Sequence, residues 1–171
     1  MNKETNDVNI NKSGESLLRR FHPEWGMTSQ FDDMVWKFRL MEKLQGWRFK
    51  ISFKKAHPAI VASLKSLAYK LLERGVEIRT VEFVVAKLSR ITRRLIAEYK
   101  VISNITSWDI IRCVDEENKS YRLKLRDLEV LCLYYTSLEA DGVSTIANTD
   151  ILYSRICQMQ KELESLPFKD P

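Results

Sequence analysis

Glycine and proline are scarce in this chain, which has five glycines and four prolines among 171 residues. Sandwiches and barrels of short strands need many turn residues, so this scarcity favours helices. No apolar run approaches the length that crosses a bilayer, and the polar opening MNKETNDVNINKSGES lacks the hydrophobic centre of a signal peptide. We therefore expect a cytoplasmic protein that does not insert into a membrane.

Cysteine and histidine are also rare. Cys113, Cys132 and Cys157 lie 19 and 25 residues apart, and neither His22 nor His57 has a cysteine near it in sequence. Metal sites use closer ligand pairs and small secreted scaffolds use more cysteines, so we expect reduced thiols. No glycine-rich phosphate loop, Ser-His-Asp order or metal motif occurs in the sequence. We expect no cofactor, no metal and no catalysis by this chain alone.

Positive charge is abundant and unevenly distributed, with a net charge of +5 for the whole chain. Residues 47–94 hold twelve cations and three acids, a net charge of +9. Residues 1–46 hold seven of each, and residues 95–171 hold nine cations and thirteen acids. A basic block of this size inside a nearly balanced chain indicates a polyanionic partner.

The first third of the chain divides into a leader and an arm. Residues 1–28 are polar and without periodicity, so we expect them to be poorly ordered. Residues 29–56 form an aromatic arm, in which the segment 29–46 fits either a helix or a strand. The segment WRFKISF alternates apolar and polar side chains, which is typical of an extended strand. An extended or mixed arm is therefore expected before the helices.

Residues 57–142 carry the start and stop signals of four helices. Pro58 stands in the first turn of one apolar row and Gly75 follows its end, and Thr80 is a candidate cap for the next row. Thr106 with Asp109 three residues later resembles a capping box. The predicted fold is all-α: a four-helix bundle with a cap at Ser120 for its last helix, followed by a tail helix or linker over 143–171.

The order of these pieces resembles the core-binding, SAM-like N-terminal domain of tyrosine recombinases, the phage-integrase superfamily. The resemblance covers residues 47 to about 142 and is carried by an HP pair at the first helix, by ITSWDIIRCV and by RLKLRDLEVLCLYYTSLEADGV. It implies the DNA-binding domain of a site-specific recombinase, which clamps duplex DNA together with a separate C-terminal catalytic domain and self-associates on DNA. The alternative is a helical protein-interaction bundle whose basic face meets an acidic partner.

The catalytic constellation of that family is not in this sequence. The family needs a His-x-x-Arg motif, but His22 is followed by Pro-Glu-Trp and His57 by Pro-Ala-Ile. The resemblance therefore implies that the catalytic domain is not in this chain, and that the chain by itself is not an enzyme.

The helix predicted over residues 79–100 is amphipathic, with Phe83 and five cations opposite its apolar face. Phe83 either meets a sugar or base edge or packs on the arm or tail helix. Arginine presents a planar fork of donors that suits phosphate, although a solvated face is the simpler interpretation of such a row. The predicted DNA contacts on this helix are Arg79, Lys87, Arg90, Arg93 and Arg94.

A second basic cluster lies at the start of the fourth helix, where free backbone N–H groups already attract anions. The simpler interpretation is surface charge offset by Glu116 and Glu117 just upstream. The predicted DNA contacts there are Lys119, Tyr121, Arg122, Lys124 and Arg126. Lys54 and Lys55, before the first helix, form a third and smaller candidate.

Overall fold

The computed structural model describes residues 25–27, 29–40, 48–99 and 101–167. The strands are β1 (Trp25–Met27), β2 (Val35–Leu40) and β3 (Arg48–Ser52). The helices are α1 (Val61–Glu73), α2 (Ile78–Tyr99), α3 (Ser107–Asp115), α4 (Tyr121–Ala140) and α5 (Thr149–Ser165). Single 3-10 turns, Pro58–Ile60 and Ile102–Asn104, precede α1 and α3.

The predicted helical class is confirmed, because helices dominate the described residues and one small sheet accompanies them. A SAM-like arrangement of the helices stays a prediction. None of the five described helices has the combination of length and hydropathy that a bilayer-spanning helix requires. The leader predicted over 1–28 lies outside the described residues, except for the three that form β1.

The chain divides into two compact units, and neither is contiguous in sequence. The first unit takes Met1–Lys54 together with Ala68–Val85, and the second takes Lys55–Leu67 together with Ala86–Pro171. Helices α1 and α2 therefore each contribute residues to both units.

The first unit contains an antiparallel sheet in the order β1-β2-β3. Trp36 pairs with Ile51 and Phe38 with Phe49, so these side chains share one face of the sheet. Trp36, Phe38 and Ile51 are buried, as the alternation of the sequence predicts. The strand interpretation of residues 35–40 is confirmed and the helical interpretation is wrong, because pairing with β3 gives the alternating side chains a buried face.

Aromatic contacts hold this sheet within the first unit. The Trp36 ring meets Phe53 at a centroid distance of 4.9 Å, and its Nε1 donates a hydrogen bond of 3.0 Å to the Phe31 carbonyl. Phe31 also meets Tyr69 of α1 edge-on at 6.1 Å. A buried indole whose N–H has a partner combines apolar burial with a satisfied donor, which favours a single packing arrangement.

The predicted stop signal after α1 is confirmed. Gly75 has φ of 81°, a conformation that side chains with a Cβ rarely adopt. Its N–H bonds the Leu72 carbonyl at 3.0 Å, and the Val76 N–H bonds the Leu71 carbonyl at 3.0 Å, which closes the end of the helix. The cap predicted at Thr80 is wrong, because α2 already begins at Ile78.

The second unit contains α3, α4 and α5, which pack on one another. Its core is made of aliphatic and aromatic side chains, among them Leu88, Leu95, Ile110, Leu131, Tyr135 and Leu152, each almost completely buried. The hydroxyl of Tyr135 donates a hydrogen bond of 3.0 Å to the Ile102 carbonyl. Burial raises the pKa of Tyr135, so this donor keeps its proton at all physiological pH values.

Two helix starts in this unit confirm the sequence signals. Thr106 and Asp109 form a complete capping box at α3, in which each side chain bonds the other residue's backbone N–H. Ser120 caps α4, because its side chain accepts a hydrogen bond from the Leu123 N–H. Asn148 caps α5 through its side-chain oxygen, which accepts from the Asp150 N–H at 2.9 Å.

Candidate nucleic-acid interface

The apolar face predicted for α2 is confirmed, whereas its solvent face is only partly as predicted. Leu88, Ile91 and Leu95 are buried. Lys87, however, has only 8% of its side chain exposed, so its predicted place on the solvent side is wrong. The reason is an acidic partner on α4, which pairs with the ammonium group of Lys87 and so allows it to be buried.

That partner is Asp127, whose side chain is 1% exposed. Lys87 Nζ lies 2.6 Å from its Oδ1, and Lys119 Nζ donates a hydrogen bond of 2.6 Å to its Oδ2. Arg90, with 57% of its side chain exposed, places a guanidinium nitrogen 3.9 Å from the same Oδ2. One buried carboxylate thus joins α2, α4 and the connection before α4.

Glu117 is the second carboxylate of this network and is also well covered, with 8% of its side chain exposed. Arg94 donates a hydrogen bond of 3.0 Å to its Oε1, and Lys119 forms an ion pair with its Oε2. Lys119 therefore lies between two carboxylates. We call Lys87, Lys119, Glu117 and Asp127 the buried network.

The protonation states of the buried network follow from opposing effects. Burial by itself raises the pKa of Asp127, but hydrogen bonds and charges of Lys119 and Lys87 outweigh it and hold that pKa below its usual value. Burial by itself lowers the pKa of Lys119, but hydrogen bonds to Asp127 and Glu117 outweigh it and raise that pKa. Both groups are therefore charged around neutral pH.

Arginines lie at the surface on the two helices that Asp127 joins. Arg93 of α2 and Arg122 and Arg126 of α4 are exposed and form no ion pair with any other described residue. Arg122 and Arg126 are four residues apart and share one side of α4. We define the arginine surface as the five exposed arginines that the two helices contribute within the second unit: Arg90, Arg93, Arg94, Arg122 and Arg126.

The arginine surface and the buried network together contain seven cations and two carboxylates, so the excess is five positive charges. Lys87 and Lys119 both lie 2.6 Å from Asp127, and Lys119 also forms an ion pair with Glu117. The arginines hold the outer positions, where a planar guanidinium can bind a phosphate in a bidentate manner. This arrangement suits a polyanion better than a single small anion.

The other residues predicted to contact DNA do not belong to the arginine surface. Tyr121 and Lys124 form hydrogen bonds within the protein, and Arg79 lies in the first unit. Tyr121 donates a hydrogen bond to Glu162 of α5, and burial followed by that bond raises the pKa of its hydroxyl. Lys124 donates to the Asp115 carbonyl at the end of α3. Arg79 belongs to the first unit, where its guanidinium carbon lies 4.8 Å from the centre of the Phe49 ring.

Lys54 and Lys55 are both exposed in the turn after β3. Lys54 belongs to the first unit and Lys55 to the second, so a boundary between the two units falls between these residues. Their role as DNA contacts stays a prediction, as does that of Arg79. Among the described residues, no group of three or more His, Cys, Asp or Glu side chains is placed to hold a metal ion.

Comparison with known proteins gives no relative: no family model, no curated protein and no solved structure matches the chain. The resemblance to tyrosine recombinases therefore rests on the sequence segments quoted above and stays a prediction.

The sequence reasoning did not identify Asp127 as a functional residue. A signal was present, because Asp127 lies three and four residues before Val130 and Leu131 and so falls on the apolar side of α4. Lys87 gives the same signal on α2, three residues after Val84 and four before Ile91. A lone acid on one apolar face and a lone cation on another predict a buried pair.

Proposed function

We propose that the second unit binds the phosphate backbone of duplex DNA through the arginine surface, as the DNA-binding part of a site-specific tyrosine recombinase. The observation that supports the proposal is the placement of charge: Lys87 and Lys119 meet the covered carboxylates of Asp127 and Glu117, and five arginines have exposed side chains on the same two helices. The recombinase assignment is supported by the family resemblance of residues 47–142.

Backbone binding follows from the chemistry of these side chains. A guanidinium is charged at every relevant pH and presents donors in a fixed plane, so each exposed arginine can meet one phosphate. Each neutralised phosphate releases counterions from DNA, and this release supplies much of the affinity. Contacts of this kind position a protein on DNA without reading its sequence.

The buried network orients two of the five arginines. Arg90 and Arg94 each lie against a covered carboxylate, at 3.9 Å from Asp127 and 3.0 Å from Glu117. Such contacts restrict the rotamers of long side chains before DNA binds, which reduces the entropy lost on binding. The two carboxylates are therefore positioning residues in this proposal, and the arginines are the contacts.

Salt dependence tests the proposal more sharply than affinity does. If the five arginines meet five phosphates, the plot of log K against log salt should have a slope of about −4.5. Replacing Arg93 and Arg126 by alanine should make the slope less negative by about 2. Neither side chain has an ion pair within the described part of the chain, so the double variant should fold normally.

The matched control removes two exposed cations that do not belong to the arginine surface. Arg74 follows α1 and Lys161 lies on α5, and both are exposed. The double variant Arg74→Ala and Lys161→Ala lowers the net charge equally, so its slope should equal that of the unchanged protein. If both double variants gave the same slope of log K against log salt, the proposed interface would be refuted. Tighter binding to an acidic protein than to duplex DNA would favour the alternative, a helical protein-interaction bundle.

A further inference from the structure

The second unit contains a cavity of about 490 Å³ that the DNA-binding proposal does not use. All of its lining residues belong to this unit, and they include α1 residues, the turn before α1 and the C-terminal part of α4. The apolar lining includes Ile60, Ile96, Ile102 and Leu138, which are buried side chains. A volume of this size lies within the range of small-molecule sites, and these walls favour a ligand with an apolar body.

Two hydroxyl oxygens in the cavity can accept hydrogen bonds from a ligand. Ser63 Oγ donates its only proton to the Ile60 carbonyl at 2.8 Å. Ser63 Oγ also lies 2.7 Å from Tyr134 Oη, so the Tyr134 hydroxyl is the donor of that second bond. Both protons are thus used within the protein, and each of the two oxygens keeps a lone pair for a ligand.

Two other hydroxyls in the lining can donate hydrogen bonds to a ligand. Ser103 and Thr145 both line the cavity, and neither hydroxyl bonds another described residue. A hydroxyl rotates about its C–O bond, so its proton can turn toward an acceptor in the cavity. The cavity therefore offers a ligand both acceptors and donors.

The carboxylate at this cavity, Asp141, is engaged within the protein. Ser66 Oγ donates a hydrogen bond of 2.8 Å to its Oδ2, and Asp141 has a further interaction as well. A ligand with a charged head group would therefore lose its hydration in the cavity without gaining a free opposite charge. A neutral head group that both donates and accepts suits this lining better.

We propose that this cavity binds a small neutral molecule with an apolar body and one hydroxyl group. The apolar body packs against the isoleucines and Leu138. The ligand hydroxyl donates to the oxygen of Ser63 or Tyr134. The same hydroxyl accepts a hydrogen bond from Ser103 or Thr145. The inference stands apart from the arginine surface and holds whether or not the protein binds DNA.

The probes are four molecules of similar size: octanol, heptyl methyl ether, octylamine and octanoate. Calorimetric titration should show octanol as the tightest, about fivefold tighter than the ether, which cannot donate a hydrogen bond. Octylamine and octanoate should bind more weakly than octanol by about tenfold, because each must bury a charge without a free partner.

General charge effects cannot produce this order. The net charge of +5 favours octanoate in non-specific binding, and the negative charge of Asp141 favours octylamine. Binding of the ether or of either charged probe as tightly as octanol, or no binding of octanol, would overturn the proposal.

Three variants locate the binding. Ala62→Trp places a large ring at the cavity from an exposed position on α1 and should abolish octanol binding, with circular dichroism as the check on folding. The double variant Ser103→Ala and Thr145→Val removes the two donors and should weaken octanol binding about fivefold. The control Ser144→Ala removes an exposed hydroxyl outside the cavity lining and should leave binding unchanged. Octanol binding that survives in folded Ala62→Trp, or equal affinities for the double variant and the control, would refute the site.

Discussion

Replacing Asp127 by asparagine should destabilise the protein far more than the same kind of substitution at an exposed acid. The change keeps the shape of the side chain but leaves Lys87, with 8% of its side chain exposed, beside a neutral amide. Removing one partner of a buried ion pair costs about 3–5 kcal/mol. Lys119 keeps its ion pair with Glu117, so we expect the lower end of that range, about 3 kcal/mol.

Urea unfolding followed by circular dichroism measures this loss. With a slope of about 2 kcal/mol per molar urea, the midpoint should fall by about 1.5 M. Glu116→Gln is the matched control, because it removes the same charge from an exposed side chain one residue before Glu117. The control should change the free energy of unfolding by at most about 0.5 kcal/mol.

The pH dependence gives a second check on the same variant. The folded pKa of Asp127 lies below its unfolded value of about 3.9, so its stabilisation is present above that value and is lost as the pH falls through the folded pKa. The folded pKa of Lys119 is raised above about 10.4, so its stabilisation is lost only as the pH rises through that folded value. The difference in free energy of unfolding between the unchanged protein and Asp127→Asn should thus be constant around neutral pH and become smaller in acid. A cost at neutral pH no larger than that of Glu116→Gln would refute the buried network.

Two further expectations follow from the capping box and from the missing recombinase motif. Thr106→Ala removes the hydroxyl that accepts a hydrogen bond from the Asp109 N–H, and it should lower the free energy of unfolding by about 0.5–2 kcal/mol in the same urea assay. Thr106→Ser keeps the hydroxyl and should retain most of that stability, so equal losses for both variants would contradict the capping role. Incubation with duplex DNA should give no covalent protein–DNA adduct on a denaturing gel, because the sequence has no His-x-x-Arg at His22 or His57, and an adduct would show that one of the tyrosines is a nucleophile after all.

Local signals in the sequence were sufficient for much of the helical part. The stop at Gly75 and the cap at Thr106 depend on the conformations and hydrogen bonds of a few neighbouring residues, so they could be read directly. The buried face of α2 could be read as well, because its period fixes which side chains share a side.

What could not be read depends on distant partners. Residues 35–40 fit both a helix and a strand locally, and pairing of Trp36 with Ile51 decides between them. Lys87 and Asp127 are 40 positions apart along the chain, so the sequence of α2 alone does not show that they pair. It therefore predicts five exposed cations on this helix, one of which, Lys87, is buried in the structure. The division of α1 and α2 between two units has no local signal at all.

The start of α5 is tied to the start of α3, and this has a practical consequence for shortening the gene. Ser107 donates a hydrogen bond of 2.7 Å to the Asn148 carbonyl and accepts one of 2.6 Å from the Asn148 N–H, while the Ile146 N–H bonds the Ser103 carbonyl at 3.1 Å. A helix of nine residues such as α3 does not hold its shape unaided. Cutting the protein after Gly142 would remove Ile146 and Asn148 together with α5, so the start of α3, which lies inside the remaining chain, would lose these three hydrogen bonds.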